Sequence, residues 1–180
     1  MMNSRVQEAI NDQILKEASS SYFYLAMASW SENQGLNGTA KFLYAQSDEE
    51  RFHMLKLIKF INERGGVAVI PAISKPPVEF DKLEKVFELL LEHEISVTES
   101  INNLVDICLQ EKDYTTHNFV QWYVSEQLEE EASARSILDK LKLREALVPT
   151  GVLVSVSLGV LEPAGLPFIC GPFAPPIIGA

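Results

Sequence analysis

Residues 83–108 read LEKVFELLLEHEISVTESINNLVDIC, and their apolar positions recur in alternating steps of four and three. This spacing predicts an amphipathic helix whose apolar seam faces the core of a helical bundle. One member of the seam, Glu94, is charged. The whole seam is Leu83, Phe87, Leu90, Glu94, Val97, Ile101, Leu104 and Cys108.

Three further segments show helical periodicity, and none of the first 143 residues alternates as a strand would. The first helix is predicted from Ser4 to about Asn33, before Gly35. The second is predicted from Asn37 or Thr39 to the glycine pair at 65–66, because glycine ends a helix in the left-handed conformation without steric cost. The fourth is predicted from 113–116 to about 143.

Two helix starts carry the spacing of a capping box, in which two side chains satisfy backbone N–H groups reciprocally. Ser4 with Gln7 would open the first helix, and Asp81 with Glu84 the third, which is expected to reach about Glu111. Only a few residues separate the first helix from the second and the third from the fourth. Each pair is therefore expected to form an antiparallel hairpin.

The link between the second and third helices, residues 65–80, contains Pro71, Pro76 and Pro77, which exclude a helix there. About 15 extended residues reach roughly 50 Å, which is enough to travel the length of helices of about 40 to 45 Å. The second and third helices would then run parallel. The predicted fold class is all-α, a four-helix bundle with one long crossover.

The composition limits the domain count and the partners. A chain of 180 residues suits one domain, and 25 acidic against 15 basic residues give a formal net charge of −10. This charge attracts cations and repels phosphate polymers, so no nucleic-acid partner is expected. The N-terminus has no apolar core of a secretory signal, so the protein is expected in the cytoplasm, with Cys108 and Cys170 reduced.

The last part of the chain differs from the rest. We divide the chain into a helical bundle, 1–145, and an atypical apolar tail rich in proline and glycine, 146–180. The uncharged run 146–161 is short for a membrane span and is interrupted by Pro149, so no membrane anchor is expected.

Each predicted helix carries a polar residue on its apolar seam at a similar depth. Glu17, Glu50, Glu94 and Gln127 each follow their helix start by about 12 to 14 residues, or roughly 20 Å along the axis. A single glutamate on a predicted seam usually means that the helix phase has been misjudged. Four polar residues at one level, three glutamates and one glutamine, instead predict a shared site. Several buried carboxyl groups cost many kcal/mol unless a cation or protons neutralise them.

The residue types favour a metal site. His53 follows Glu50 by one helical turn on the same face, Glu17 would complete the site of a first ion, and Glu50 would bridge to a second ion beside Glu94. Gln127 and Glu130 lie one turn apart on the fourth helix. Oxygen-rich ligands with one imidazole suit iron or manganese better than structural zinc or calcium. His93 and His117 are predicted to be surface or rim histidines.

These residues resemble the ferritins, and among them the haem-free bacterial type, over about residues 1–145. The resemblance rests on Glu17, Tyr24, the segment 49–53 (EERFH), Glu94, Trp122 and the segment 126–130 (EQLEE). It implies a di-iron ferroxidase centre without haem, in which Glu17, Glu50 and His53 hold the first iron. The second iron would have Glu50, Glu94 and either Gln127 or Glu130. A third, transit site would use Glu49, Glu126, Glu129 and Glu130.

The resemblance also implies a function. Fe(II) would be oxidised by dioxygen or peroxide, and ferric oxide-hydroxide would be stored inside an oligomeric shell, expected to contain 24 subunits. Tyr24 could serve in the oxidation or only in packing. One alternative is a di-iron oxygenase or peroxide-reducing bundle, disfavoured because the chain has a single Glu-x-x-His; another is a helical scaffold whose inward carboxyl groups are protonated.

Overall fold

The computed structural model of the chain describes residues 2–147. It contains four helices, α1 (Ser4–Asn33), α2 (Asn37–Glu63), α3 (Leu83–Gln110) and α4 (Tyr114–Leu147), and no strand within these residues. The all-α fold and the four-helix bundle are therefore confirmed. α4 extends past its predicted end near Leu143, into the start of the predicted tail. The rest of that tail, with Cys170, lies outside the described residues, and the division at 145 stays a prediction.

The capping residues differ from the predicted ones. Asn3, not Ser4, caps α1, because its side chain accepts a hydrogen bond of 2.8 Å from the backbone N–H of Arg5. Ser4 is already helical. At α3 the capping position is occupied by Lys82, and no side chain caps it, so the predicted Asp81–Glu84 box is wrong. The helix begins one residue too late for Asp81 to reach its free N–H groups.

The turns between helices depend on residues with positive φ. Gly35 (φ 73°) ends α1, and Gly65 (φ 71°) follows the C-terminus of α2 as the glycine pair predicted. Between α3 and α4 the left-handed position is taken by Lys112 (φ 56°). Asp113 then caps α4 by accepting from the Thr116 N–H at 3.0 Å.

Hydrogen bonds between helices give the topology. Ser100 donates to Gln13 at 2.6 Å, while Ser20 lies 2.7 Å from the His93 ring nitrogen, so α1 and α3 run antiparallel. Because α1 and α2 form a hairpin, α2 and α3 are parallel, as the long crossover predicted. α4 packs on α2 through the stacked rings of Phe60 and Phe119, whose centroids are 3.8 Å apart.

Polar side chains of α1 hold the start of the crossover. Gln7 accepts from the backbone N–H of Val67 at 3.1 Å, and Asn11 accepts from the N–H of Val69 at 2.8 Å. A side chain at Gly66 would stand 2.5 Å from the Gln7 amide oxygen, so glycine allows this close approach. None of the described helices is long and apolar enough to cross a membrane.

The core consists of two apolar clusters at different heights. One includes Ile10, Ile14, Leu57, Ile61, Ile101 and Leu104. The other includes Met27, Leu43, Phe87, Leu90 and Leu138. Between them along the helices lie buried polar residues, namely Glu17, Glu50, His53, Glu94 and Gln127. The sequence thus interrupts its core at one level, in the middle of the bundle.

Candidate metal centre

Three side chains from α1 and α2 form a compact inner group. Glu17, Glu50 and His53 each offer one ligand atom, and these atoms lie within 4.8 Å of one another. His53 Nδ1 is 3.6 Å from Glu50 Oε2 and 3.9 Å from Glu17 Oε2. The i, i+3 spacing on α2 puts Glu50 and His53 on the face that α1 covers. All three residues are only 1% exposed, so water cannot solvate them.

The inner group has buried polar atoms without hydrogen-bond partners. They are Glu17 Oε2, Glu50 Oε2 and His53 Nε2. A buried polar atom left unsatisfied costs free energy, and such atoms are rare unless a function retains them. Two carboxylate oxygens and one imidazole nitrogen are a donor set that iron and manganese accept. The residues present therefore fit a metal ion.

The pKa values of the inner carboxyl groups are high when no cation is present. Burial raises the pKa of Glu17 first, and the charge of Glu50 raises it further. Burial also raises the pKa of Glu50, to which the charges of Glu94, Glu130 and Glu49 add. A cation that binds here takes the place of protons, so binding must release them.

Glu94 lies at the same level on α3, and both of its carboxyl oxygens are hydrogen-bonded. The Tyr24 hydroxyl donates to Oε1, and the Gln127 amide donates to Oε2 at 3.0 Å and to the backbone carbonyl of Glu94 at 3.3 Å. Burial raises the pKa of Glu94, while these two hydrogen bonds oppose the shift. The structure thus brings Tyr24, Glu94 and Gln127 together beside the inner group.

A second, outer group lies toward the surface between α2 and α4. Glu49, His53 and Glu126 have ligand atoms within 4.8 Å of one another, so His53 borders both groups. Glu49 is exposed and Glu126 half-buried. Glu130 is joined to Glu49 through the amide of Gln46, which donates to Glu49 at 3.1 Å and to Glu130 at 3.3 Å.

Glu130 and Glu129 are neighbours in sequence but differ in environment. Burial raises the pKa of Glu130 to about 9, and the charges of Glu94, Glu49 and Glu126 contribute. Glu129 is exposed, and it belongs to neither group of close ligand atoms among the described residues. Its place in a transit site stays a prediction, as do the ligand roles of the other residues.

Sequence reasoning missed two buried amides. Gln13 donates to Glu17 Oε1 at 2.8 Å, and Gln46 bridges Glu49 and Glu130. Each glutamine precedes an inner glutamate by four residues, Gln13 before Glu17 and Gln46 before Glu50. This repeated spacing, an amide one turn ahead of a carboxyl group on the same seam, was the available signal.

Aromatic residues and a histidine complete the surroundings. Tyr123 donates to the backbone carbonyl of His53 at 2.9 Å, and the Trp122 ring meets the imidazole edge-on at 5.2 Å. His93, predicted to be a surface or rim histidine, is half-buried, and its ring packs against Phe23 and Tyr24. Burial, followed by the charge of Lys16, lowers the pKa of His93 to about 4, so this imidazole is neutral at pH 7.

The fold and the site define a helical bundle whose buried carboxyl groups and histidine suit metal ions. The family model described as Ferritin-like domain matches residues 7–144. The chain belongs to the ferritin family.

Individual relatives of this chain carry the names of ferritins. A probable bacterial non-heme ferritin-like protein of Haemophilus influenzae is 48% identical over 141 residues, covering 78% of this chain and 86% of the relative. The bacterial non-heme ferritin of Campylobacter jejuni is 45% identical over 143 residues, covering 79% of this chain and 86% of the relative.

Solved structures are similar as well. An engineered closed form of the Archaeoglobus fulgidus ferritin matches with a TM-score of 0.80 and 43% identity, covering 82% of this chain and 90% of that one. A ferritin of Chlorobium tepidum also gives a TM-score of 0.80, with 40% identity and the same coverage of 82% and 90%.

Proposed function

We propose that this protein stores iron: it oxidises Fe(II) with dioxygen at the middle of the bundle and deposits ferric oxide-hydroxide inside a shell of identical subunits in the cytoplasm. One observation carries the proposal. Glu17 Oε2 and Glu50 Oε2 lie 3.9 and 3.6 Å from His53 Nδ1, and these two oxygens and the other ring nitrogen, Nε2, are buried without hydrogen-bond partners, which is costly unless a cation uses them. Membership of the ferritin family makes iron the cation of choice and supports self-association, for which we propose 24 subunits.

The inner group would receive the first Fe(II), with Glu17, Glu50 and His53 as ligands. Glu50 would also face the second Fe(II), since its pKa already responds to the charge of Glu94. Glu94 would bind this second ion with Gln127 or Glu130, and Tyr24 would orient Glu94 through its hydroxyl hydrogen bond. Two ferrous ions held together can supply the two electrons that convert dioxygen to peroxide.

The outer group would serve ions in transit. Its Glu49 and Glu126, together with the neighbouring Glu129 and Glu130 of α4, would form this transit site, and two of the four, Glu49 and Glu129, are exposed. The net charge of −10 favours the approach of cations to the protein. Carboxyl ligands bind iron weakly enough for the ferric product to leave, which storage requires.

The test is a titration of the full-length protein with Fe(II) in air. We expect rapid appearance of ferric absorbance that remains with the protein on gel filtration. Glu50→Ala and His53→Ala should slow the initial oxidation at least ten-fold, an order of magnitude typical of lost metal ligands, without loss of helix content. His117→Ala alters a half-buried histidine in the first turn of α4, well before Gln127, so it is the matched control and should oxidise iron at the parent rate.

Two results would overturn the proposal. If Glu50→Ala and His53→Ala oxidise iron as fast as the parent, the inner group is not the site. If the parent protein neither binds nor oxidises Fe(II), the buried carboxyl groups belong to a scaffold that protons neutralise.

A further inference from the structure

The inner and outer groups differ in how their polar atoms are satisfied. In the inner group three ligand atoms have no hydrogen-bond partner. In the outer group, by contrast, the Gln46 amide nitrogen lies 3.1 Å from Glu49 Oε2 and 3.3 Å from Glu130 Oε2. Gln46 is only 7% exposed, so its amide is held between these carboxyl groups and not directed into water.

A bridging amide nitrogen occupies the place that a cation shared by the two carboxyl groups would take. Its two hydrogens carry partial positive charge and can serve one acceptor each. The bond to Glu130 is long for an N–H···O contact, and the bond to Glu49 is near the upper end of the ordinary range, so both are weak enough for an ion to displace. A cation entering between Glu49 and Glu130 must therefore break them first.

Glu126 has a protein cation near it as well. The Lys56 ammonium lies 3.0 Å from the centroid of the Trp122 ring and acts electrostatically on Glu126. The long side chain is thus kept on the aromatic face next to the outer group. Two carboxyl groups of α4, those of Glu130 and Glu126, thus have a partly or fully positive group of the protein near them.

We propose that Gln46 is a positioning residue that stands in for a cation between Glu49 and Glu130, so that the outer group binds ions weakly and releases them quickly. This inference rests on the proposed function, because it concerns ions on their way to the inner group. In the inner group the Gln13 amide is bonded to Glu17 Oε1, but Oε2 of Glu17 and Oε2 of Glu50 carry no donor that an ion must displace, so ions are retained.

The experiment uses the full-length assembled protein without oxygen. Fe(II) is bound, and its release is followed after rapid mixing with an excess of a coloured Fe(II) chelator. We expect a fast phase from the outer group and a slow phase from the inner group, with Glu49→Ala abolishing the fast phase. Gln46→Leu removes the amide and should slow the fast phase and tighten outer-group affinity about five- to ten-fold, as expected for two weak hydrogen bonds.

Controls separate the amide from the fold. Gln46→Asn keeps an amide but is too short to bridge both carboxyl groups, so it should behave as Gln46→Leu does. Gln121→Leu alters an exposed glutamine of α4 whose amide is hydrogen-bonded to His117 in the preceding turn, and it should match the parent. The slow phase should stay unchanged in all three variants, and Gln121→Leu should oxidise Fe(II) at the parent rate.

The outcomes distinguish this inference from the proposed function. If the parent oxidises Fe(II) but Gln46→Leu and Gln46→Asn release it at the parent rate or faster, Gln46 is a bystander or a ligand, and only the inference fails. A parent protein that oxidises Fe(II) without a fast phase also overturns it. A parent that neither binds nor oxidises Fe(II) overturns the proposed function itself.

Discussion

Replacing Glu130 by glutamine should stabilise the metal-free protein, although it removes a proposed iron ligand. Glu130 is half-buried, and its pKa is raised from the ordinary 4.5 to about 9, first by the burial of its carboxyl group and then by the charges of Glu94 and Glu49. Glutamine has nearly the same shape, carries no charge and can still accept the hydrogen bond from Gln46. The substitution therefore removes the titration and little else.

The sign follows from comparing the folded and unfolded states. Below pH 4.5 the carboxyl group is protonated in both states and costs nothing. Above that pH the unfolded chain loses the proton while the folded chain keeps it, so the free energy of unfolding falls by about 1.4 kcal/mol per pH unit. The loss reaches about 1 kcal/mol at pH 5 and about 3 kcal/mol at pH 7, and it ends near the folded-state pKa.

The assay is urea unfolding of chelator-treated protein, followed by circular dichroism at pH 5 and pH 7. Glu130→Gln should exceed the parent by up to about 3 kcal/mol at pH 7 and by about 1 kcal/mol at pH 5. Glu129→Gln, an exposed neighbour, is the matched control and should change unfolding little. A gain that is absent, or that is equal at the two pH values, would refute the reasoning from burial.

Three further predictions concern the frame around the site. Asp113→Ala should destabilise the protein by about 2 kcal/mol in urea unfolding, because it removes the cap of α4 and the pair with Arg64 at 3.1 Å. Burial alone would raise the pKa of Asp113, but the hydrogen bonds from Thr116 and Arg64 outweigh burial and lower this pKa. The ionised carboxylate therefore stabilises the protein above pH 3.8, and this stabilisation is lost as the pH falls through the lowered pKa. Asp113→Asn should abolish this acid dependence. Gly35→Ala should cost about 1 kcal/mol in thermal unfolding, since φ is 73° there. Tyr24→Phe should slow Fe(II) oxidation several-fold in stopped-flow measurements while leaving the number of bound ions unchanged, because Glu94 loses an orienting donor.

The helices were predicted well because apolar residues that recur in steps of three and four over many turns fit a helix and do not fit a strand. The buried residues of α3 are those of the predicted seam, apart from Leu83, which is half-buried, and Val86, which is buried beside it. The ends were less predictable. Asn3 and Ser4 are adjacent and both residue types are good caps, so which of them caps α1 depends on the residue at which the backbone first becomes helical.

The candidate site could be located from the sequence, but its hydrogen bonds could not. Four polar intrusions at one depth suffice to place a site in the middle of the bundle, and Glu17, Glu50, Glu94 and Gln127 are all buried there. Gln13 and Gln46 were not singled out from the sequence, because they carry no charge and a neutral glutamine on a seam does not by itself indicate a site. How far His93 is buried depends on the aromatic rings that pack around it. The seams of the neighbouring helices do not predict which rings these are.

The stability of the empty site and its affinity for ions are two sides of the same arrangement. If Glu17 Oε2 and Glu50 Oε2 had been paired with internal donors, as Glu17 Oε1 is with Gln13 and as Glu49 and Glu130 are with Gln46, the metal-free bundle would be more stable, but an entering ion would have to displace those donors. The atoms of Glu17, Glu50 and His53 without hydrogen-bond partners have the opposite effect: the empty site is less stable, but an entering ion displaces no donor from these atoms. The empty bundle bears the cost of desolvation, and the same free energy is recovered when a cation enters. Two cation sites built from the same residue types can therefore differ in retention, because an amide bridges two carboxyl groups in one site, whereas each carboxyl group of the other keeps an oxygen without a donor.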